Sequence, residues 1–425
     1  MSAATHKHAQ KDLPPGWRWE KIDHLVTEAM AGFACGQRDE AGIIQIRMQN
    51  LNTGGDFVWE NLVRIPSHCH PFEKFLLKKN DVLFNNTNST ELVGKSALFD
   101  CYKEPVVFSN HYTRLRTDDN KLDPGYLAYW LVNLWQEGVF AAICNRWIGQ
   151  SAIKNDKLLK LDIPLPPLAE QQRIAGILKE QMAAVDKARA AAEARLAAVK
   201  ALPTAFLRAV FGVIPVFTAS PVTPQIPVKP GWKWHRLTDI ARLATGHTPS
   251  RYHSEFWKGT VPWLQLADIR VLDGHEAQDT AEHTNELGLA NSSSVLLPKD
   301  TVCMSRTASV GFFTVMGRPM CTSQDFVNWV CGDALAPWFL LYLLIASREK
   351  IRDLGSGAVH KTIYFPTVKN FSVCVPPLAE QRRLADILRA QITTAEQARA
   401  AAEAELAAIN ALPAALLRRA FNGEL

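Results

Sequence analysis

The sequence predicts an α+β chain made of pseudo-two-fold half-repeats: two compact globular domains joined by two long helices that pair as an antiparallel coiled coil. Three observations predict it. First, "PPLAEQQRIAGIL" (166–178) returns as "PPLAEQRRLADIL" (376–388) with ten of thirteen residues kept, and "ARAAAEARLAAVKALP" (188–203) returns as "ARAAAEAELAAINALP" (398–413) with thirteen of sixteen kept. The offset is 210 residues in both stretches, without a gap. Second, both copies are dominated by Ala, Leu, Glu, Gln, Lys and Arg, the strong helix formers. Third, all twelve tryptophans lie outside the copies, six in each intervening segment.

Taken in order, residues 1–13 read as a flexible N-terminal tail, 14–165 as a first domain and 166–211 as a first helix. A Pro-rich linker (212–228), a second domain (229–375) and a second helix with a C-terminal tail (376–425) follow. The halves echo each other more weakly elsewhere, as in "PPGWRWEKIDHL" (14–25) against "KPGWKWHRLTDI" (229–240). Alternating Leu161, Ile163, Leu165 and Phe371, Val373, Val375 predict a strand stopped by Pro-Pro before each helix.

Along the helices, apolar residues recur at spacings of three and four. Leu178, Met182, Val185, Ala192, Leu196 and Val199 form one stripe. Leu388, Ile392, Ala395, Ala402, Leu406 and Ile409 form the other. This is a heptad seam that needs a partner, and the other copy is the nearest candidate. Paired antiparallel, about 35 residues at ~1.5 Å rise give a rod of roughly 50 Å, longer than a B-DNA turn of about 34 Å. Such a rod would hold the two domains at opposite ends. Pro203 and Pro413 are expected to kink or break each helix. Glu170, Gln171 and Arg173 in the first copy, and Glu380, Gln381 and Arg383 in the second, read as one polar surface presented twice.

The intervening segments read as α+β, with strands in "AGIIQIRM", "DVLFNNT", "VVFSNHYTRLR", "VPWLQLAD", "DTVCMSRT" and "DFVNWV". Asp123 followed by Pro124 marks a helix start. Between the apolar runs lie side chains able to read base edges or phosphates. The first domain offers Arg47, Gln49, Asn50, Asn85, Asn86, Asn88, Lys95, Asn110, His111, Arg114, Arg116, Asn145, Arg146, Gln150 and Lys154. The second offers Gln265, Asp268, Arg270, Ser305, Arg306, Ser309, Gln324, Asp325, Asn328, His360, Lys361 and Tyr364. Asn and Gln match adenine, Arg matches guanine, and Lys neutralises phosphate. Each alone also suits ordinary turn chemistry.

Composition bounds the rest. With 47% hydrophobic and 21% charged residues the chain is globular, and a net charge of +5 does not by itself demonstrate nucleic-acid binding. Eight cysteines without a CxxC pair fit a reducing cytoplasm. The apolar runs "LAYWLVNLW" and "WFLLYLLIA" are too short to span a bilayer. "HCH" at His68–His70 finds no second cluster to complete a metal site, so no metal is expected. P-loop, dinucleotide and HExxH motifs are absent. "DPGY" (123–126) departs from an adenine methyltransferase motif at Gly125 and reads as the helix start. No catalytic residue is assigned.

The paired "PPLAEQ" junctions, the long helices behind them and the ending "FNGEL" (421–425) resemble the specificity subunit of type I restriction–modification systems. The resemblance covers essentially the whole chain and implies a non-catalytic reader of double-stranded DNA. Each variable domain would be a target-recognition domain for one half of a bipartite site, with the helices as spacer. Two methyltransferase subunits would dock beside the repeated helix starts, at Glu170, Gln171, Arg173, Glu380, Gln381 and Arg383. S-adenosylmethionine, ATP and Mg would then sit on the methyltransferase and restriction–translocase subunits, with no cofactor in this chain. The competing readings are a methyltransferase or nuclease with its own site, and a helical protein scaffold with no role on DNA.

Overall fold

Helix-forming composition and a heptad stripe make each repeat copy one continuous helix, Leu168–Phe211 and Leu378–Phe421, of 44 residues apiece. The computed structural model describes residues 12–68, 72–212, 215–357 and 361–425. Residues 1–11, Cys69 and His70, and His360 therefore lie outside the described residues. Pro203 and Pro413 sit inside the helices and end neither. This corrects the expected break. A proline forfeits one backbone hydrogen bond, and apolar burial on both sides, at Val199 and Leu207 or Ile409 and Leu417, offsets that loss. Every seam residue named above is buried or half-buried. The second helix is long and apolar enough to cross a membrane by length and composition alone, a test that core helices also pass.

The chain folds as two units, and each takes half of each helix: residues 1–193 with 404–425, and residues 194–403. Within the first unit, Arg173 Nη2 donates to the Leu425 carbonyl (2.6 Å) and Arg189 Nε to Asn410 Oδ1 (2.9 Å). Numbers rise on one helix as they fall on the other, so the pairing is antiparallel. The second unit pairs Lys200 with Glu403 at 3.3 Å, while Leu207 and Phe211 share a core with Ala385 and Leu388.

In the first unit, a four-stranded antiparallel sheet runs Val26–Ala31, Tyr112–Thr117, Val82–Asn85, Ser96–Leu98. A three-stranded sheet sets Ile43–Ile46 antiparallel to Val63–Ile65 and parallel to Val106–Phe108. Arg18–Lys21 pairs with Asp162–Leu165, the strand stopped by Pro-Pro. Helix Pro124–Gln136 covers the larger sheet, and the Asp123 carboxylate accepts the Tyr126 N–H at 2.8 Å, a cap that closes one of its orphan donors. Phe421, from the far end of the second helix, packs edge-on against Tyr126 and Trp130 in the same core.

The second unit repeats this plan. Its five-stranded sheet runs Ala241–Thr245, Phe326–Cys331, Val302–Ser305, Phe313–Met316, Glu276–Ala277. Trp257–Leu264 lies antiparallel to His283–Thr284 and parallel to Cys321–Thr322. The linker contributes Phe217–Thr218, which pairs with Ser372–Val375 beside Lys233–Arg236. Helix Pro337–Ala346 covers the sheet, and Phe211 meets Phe339 at 5.4 Å. Each long helix thus begins in one unit and ends by filling the core of the other.

Candidate nucleic-acid interface

Backbone hydrogen bonds gather three loops in each unit. In the first, the Asn86 N–H donates to the His111 carbonyl (3.0 Å), and the Ile153 N–H donates to the Asn86 carbonyl (2.9 Å). Strand pairing of Asn88 with Ser151 adds the hairpin Asn145–Trp147/Gln150–Ala152. In the second unit, the Arg306 N–H donates to the Asp325 carbonyl (2.8 Å) and the Ile363 N–H to the Arg306 carbonyl (2.9 Å). The scaffold is the same; the side chains it displays differ.

Side chains that reach solvent around these loops are Asn110, Arg146, Gln150 and Lys154 in the first unit, and Gln324, Lys361 and Tyr364 in the second. Gln49 and Arg270 are also exposed. Asn88, His111, Asn145, Arg306 and Asp325 are half-buried beside them, as are Arg47, Arg116 and Gln265. Burial, and then the charge of Arg47, push the His111 imidazole below its ordinary range, which favours the neutral ring. Arg47 donates to the Cys35 carbonyl (2.8 Å) and Gln45 Oε1 (2.9 Å), and Arg306 Nη2 to the Gln324 carbonyl (3.0 Å). Arg306 also stacks over Phe365.

Nine of the sequence-selected residues are buried instead: Asn50, Asn85, Asn86, Lys95, Arg114, Asp268, Ser305, Ser309 and Asn328. Their hydrogen bonds go to the fold, because a polar group removed from water needs a partner. Asn50 caps a turn through the Arg47 N–H and donates to the Val58 and Glu60 carbonyls. Asp268 caps the equivalent turn through the Gln265 N–H and accepts the Ala281 N–H. Asn85 and Asn86 donate to the His111 and Asn110 carbonyls, at 2.9 and 3.3 Å, and so build the loop cluster from inside. Lys95 Nζ donates to the Leu51 carbonyl at 2.5 Å. Arg114 donates to Glu28 Oε1 (2.5 Å) and to the Leu76 and Lys74 carbonyls (2.9 and 3.1 Å). Arg116 is tied to Asp81. In the second unit, Ser305 Oγ donates to the Ser309 carbonyl, Arg270 Nε donates to Ser309 Oγ, and Asn328 Nδ2 donates to Thr322 Oγ1.

The repeated helix starts divide in the same way. Gln171 and Gln381 are each 1% exposed, so neither presents a docking surface. Gln171 Oε1 accepts the Asp123 N–H (2.9 Å), and its Nε2 donates to the Lys121 (3.0 Å) and Pro166 (2.9 Å) carbonyls. Gln381 makes the same three bonds to Ala336, Ala334 and Pro376, at the same three distances. Each glutamine is a clamp that fixes its long helix to the loop entering the covering helix. Glu170–Arg173 and Glu380–Arg383 are two-bond ion pairs on the surface. The arginine hydrogen bonds hold both glutamates below the usual carboxylate range.

Trp147 and Ile148 escaped the sequence reading. They form the tip of the hairpin, 60% and 106% exposed. Their signal was the turn glycine Gly149 (φ 76°) behind two large apolar residues in a polar run. Among the described residues no group of three or more His, Cys, Asp or Glu side chains gathers as a metal site.

The family model for the type I restriction modification DNA specificity domain matches residues 67–192 and 229–405. The chain belongs to this family. It is a type I specificity subunit, the non-catalytic DNA-recognition component, and such subunits act with methyltransferase and restriction subunits. A Methanocaldococcus jannaschii chain assigned as the MjaX specificity subunit is 28% identical, over 89% of this chain and 87% of that one. The StySPI specificity subunit of Salmonella potsdam is 22% identical over 97% and 90%. In fold, the chain is similar to the HsdS subunit of Thermoanaerobacter tengcongensis, with a TM-score of 0.63 at 20% identity, covering 99% and 100% of the two chains. A chain solved in work on assembly and conformational transition of the type I R-M system gives 0.70 at 21% identity, covering 98% and 100%.

Proposed function

We propose that this specificity subunit reads a bipartite duplex site, one half-site per unit. The first reader consists of the loops around Asn88, Asn110, His111 and Gln150; the second consists of those around Arg306, Gln324, Asp325 and Lys361. The observation that carries this reading is the loop cluster built twice on equivalent backbone hydrogen bonds and dressed with different side chains. A common scaffold with exchanged side chains suits two different sequences read in the same manner. The paired helices set the gap between half-sites. Two methyltransferase subunits dock at the exposed Glu170–Arg173 and Glu380–Arg383 pairs, while the buried Gln171 and Gln381 hold those surfaces in place. S-adenosylmethionine, ATP and Mg belong to the methyltransferase and restriction subunits, and the complex works on cytoplasmic DNA.

The test maps methylated adenines genome-wide in cells with and without the gene. A two-part motif with a fixed gap should vanish on deletion. Grafting residues 14–165 from a relative should change one half alone. A contiguous motif, or no change on deletion, would overturn the reading.

A further inference from the structure

We infer that the hairpin tip Trp147–Ile148 is a wedge that enters the base stack of the duplex. This rests on the proposed reading that the loop cluster of the first unit faces DNA. Surface hydrophobics are common singly, but a tryptophan and an isoleucine side by side at a turn are a costly solvent-facing pair. Ile148 is 106% exposed, more than any other large apolar residue described. Gly149 takes the left-handed φ of 76°, and the side chain at Ile148 stands at the extreme of the turn.

The surroundings select nucleic acid as the occupant. Exposed Arg146 lies on the first strand of the hairpin beside Trp147, exposed Gln150 faces Trp147 on the second, and exposed Lys154 follows that strand. Two carboxylates stand among these cations, Glu91 near Arg146 and the exposed Asp156 just after Lys154. Lys157 Nζ pins the hairpin base by donating to the Ile143 carbonyl and to Asn145 Oδ1, both at 2.9 Å. Pairing of Asn88 with Ser151 then makes the tip continuous with the candidate reading loops. A rigid apolar tip among cations and amides matches side chains that part base steps while their neighbours hold the backbone.

The experiment uses the full chain assembled with its methyltransferase subunits. The duplex is the one defined by the methylation map, with 2-aminopurine placed in turn at each adenine except the methylated ones. The wild-type complex should give an enhanced signal at one step of the first half-site and none in the second. Trp147→Ser with Ile148→Ser should abolish that signal and weaken binding about tenfold to a hundredfold, since a lost stacking contact is of that size. Ile148→Leu should retain both, and thermal unfolding should be unchanged in all variants. Cognate binding with no unstacked step and an unaffected double variant would overturn the wedge alone. Equal binding to cognate and random duplexes would overturn the underlying reading. Loss of methyltransferase retention in the double variant, with DNA affinity per assembled complex unchanged, would make the tip a protein contact and also overturn the wedge.

Discussion

The main sheets of the two units share their central strand order but are tied together by different chemistry. In the first, Arg114 and Arg116 meet Glu28 and Asp81 across three strands, with the Arg114 and Asp81 side chains each 2% exposed. Strand register places Asn328, Val330, Arg242 and Thr301 at the corresponding points of the second. A buried ion network repays its desolvation only when fully bonded, and a neutral set can do the same structural work. The charges therefore are not required by the fold. What the first unit gains is a tether: Arg114 also holds the carbonyls of Lys74 and Leu76. Framework chemistry can diverge between the halves while the loop scaffold stays the same.

The largest contrast should come from Arg114→Met. It takes the guanidinium from Glu28 and leaves the Lys74 and Leu76 carbonyls without their donor, while Asp81 keeps Arg116, and should cost about 3 kcal/mol. Asn328→Ala in the second unit should cost about 1–2 kcal/mol, because only one neutral hydrogen-bond partner is lost. Urea unfolding with hydrogen exchange to assign the unit measures both, and equal losses would erase the contrast. Next in size is a pair expected to be alike. Gln171→Leu and Gln381→Leu each leave a buried N–H and two carbonyls without their partner, costing about 1–3 kcal/mol in either unit. A clear inequality would show that the two clamps are not equivalent.

Acid should separate the units more gently. The folded pKa of His111 is lowered, so the neutral ring contributes stability above the ordinary imidazole range near 6.5. That contribution is lost as pH falls from there through the lowered folded value. The equivalent loop position in the second unit is Asp325. His111→Gln should flatten the pH dependence of the first unit's melting below about pH 6.5, without touching the second. The smallest stability effect is expected at the surface, where reversing Glu170 and Arg173 together should cost under about 1 kcal/mol. The same reversal should still weaken retention of one methyltransferase subunit in pull-down.

The helices were legible because a heptad stripe and a 210-residue repeat are local patterns, visible without knowing the fold. Pro203 misled because loss of one backbone bond was weighed without the packing on either side. Gln171 was read as surface because it recurs as Gln381 in the second copy, like a face presented twice, yet its three partners include the backbone of Lys121 and Asp123, some fifty residues upstream. Arg114 looked like a base reader because arginine matches guanine and lies in a polar cluster, while its partner Glu28 lies 86 residues away in sequence. Trp147 went unremarked because tryptophan usually marks a core. Residue type alone does not distinguish a side chain that builds a loop from one the loop displays.

The most direct test of a reader built twice exchanges only the displayed loops. Residues 85–90, 109–111 and 145–154 would be replaced by those of a relative with a different motif, leaving the sheets, clamps and helices intact. Adenine methylation in cells carrying the exchanged chain should show a new first half-site, with the second half-site and the gap unchanged. A motif altered in both halves, or in its gap, would contradict the account.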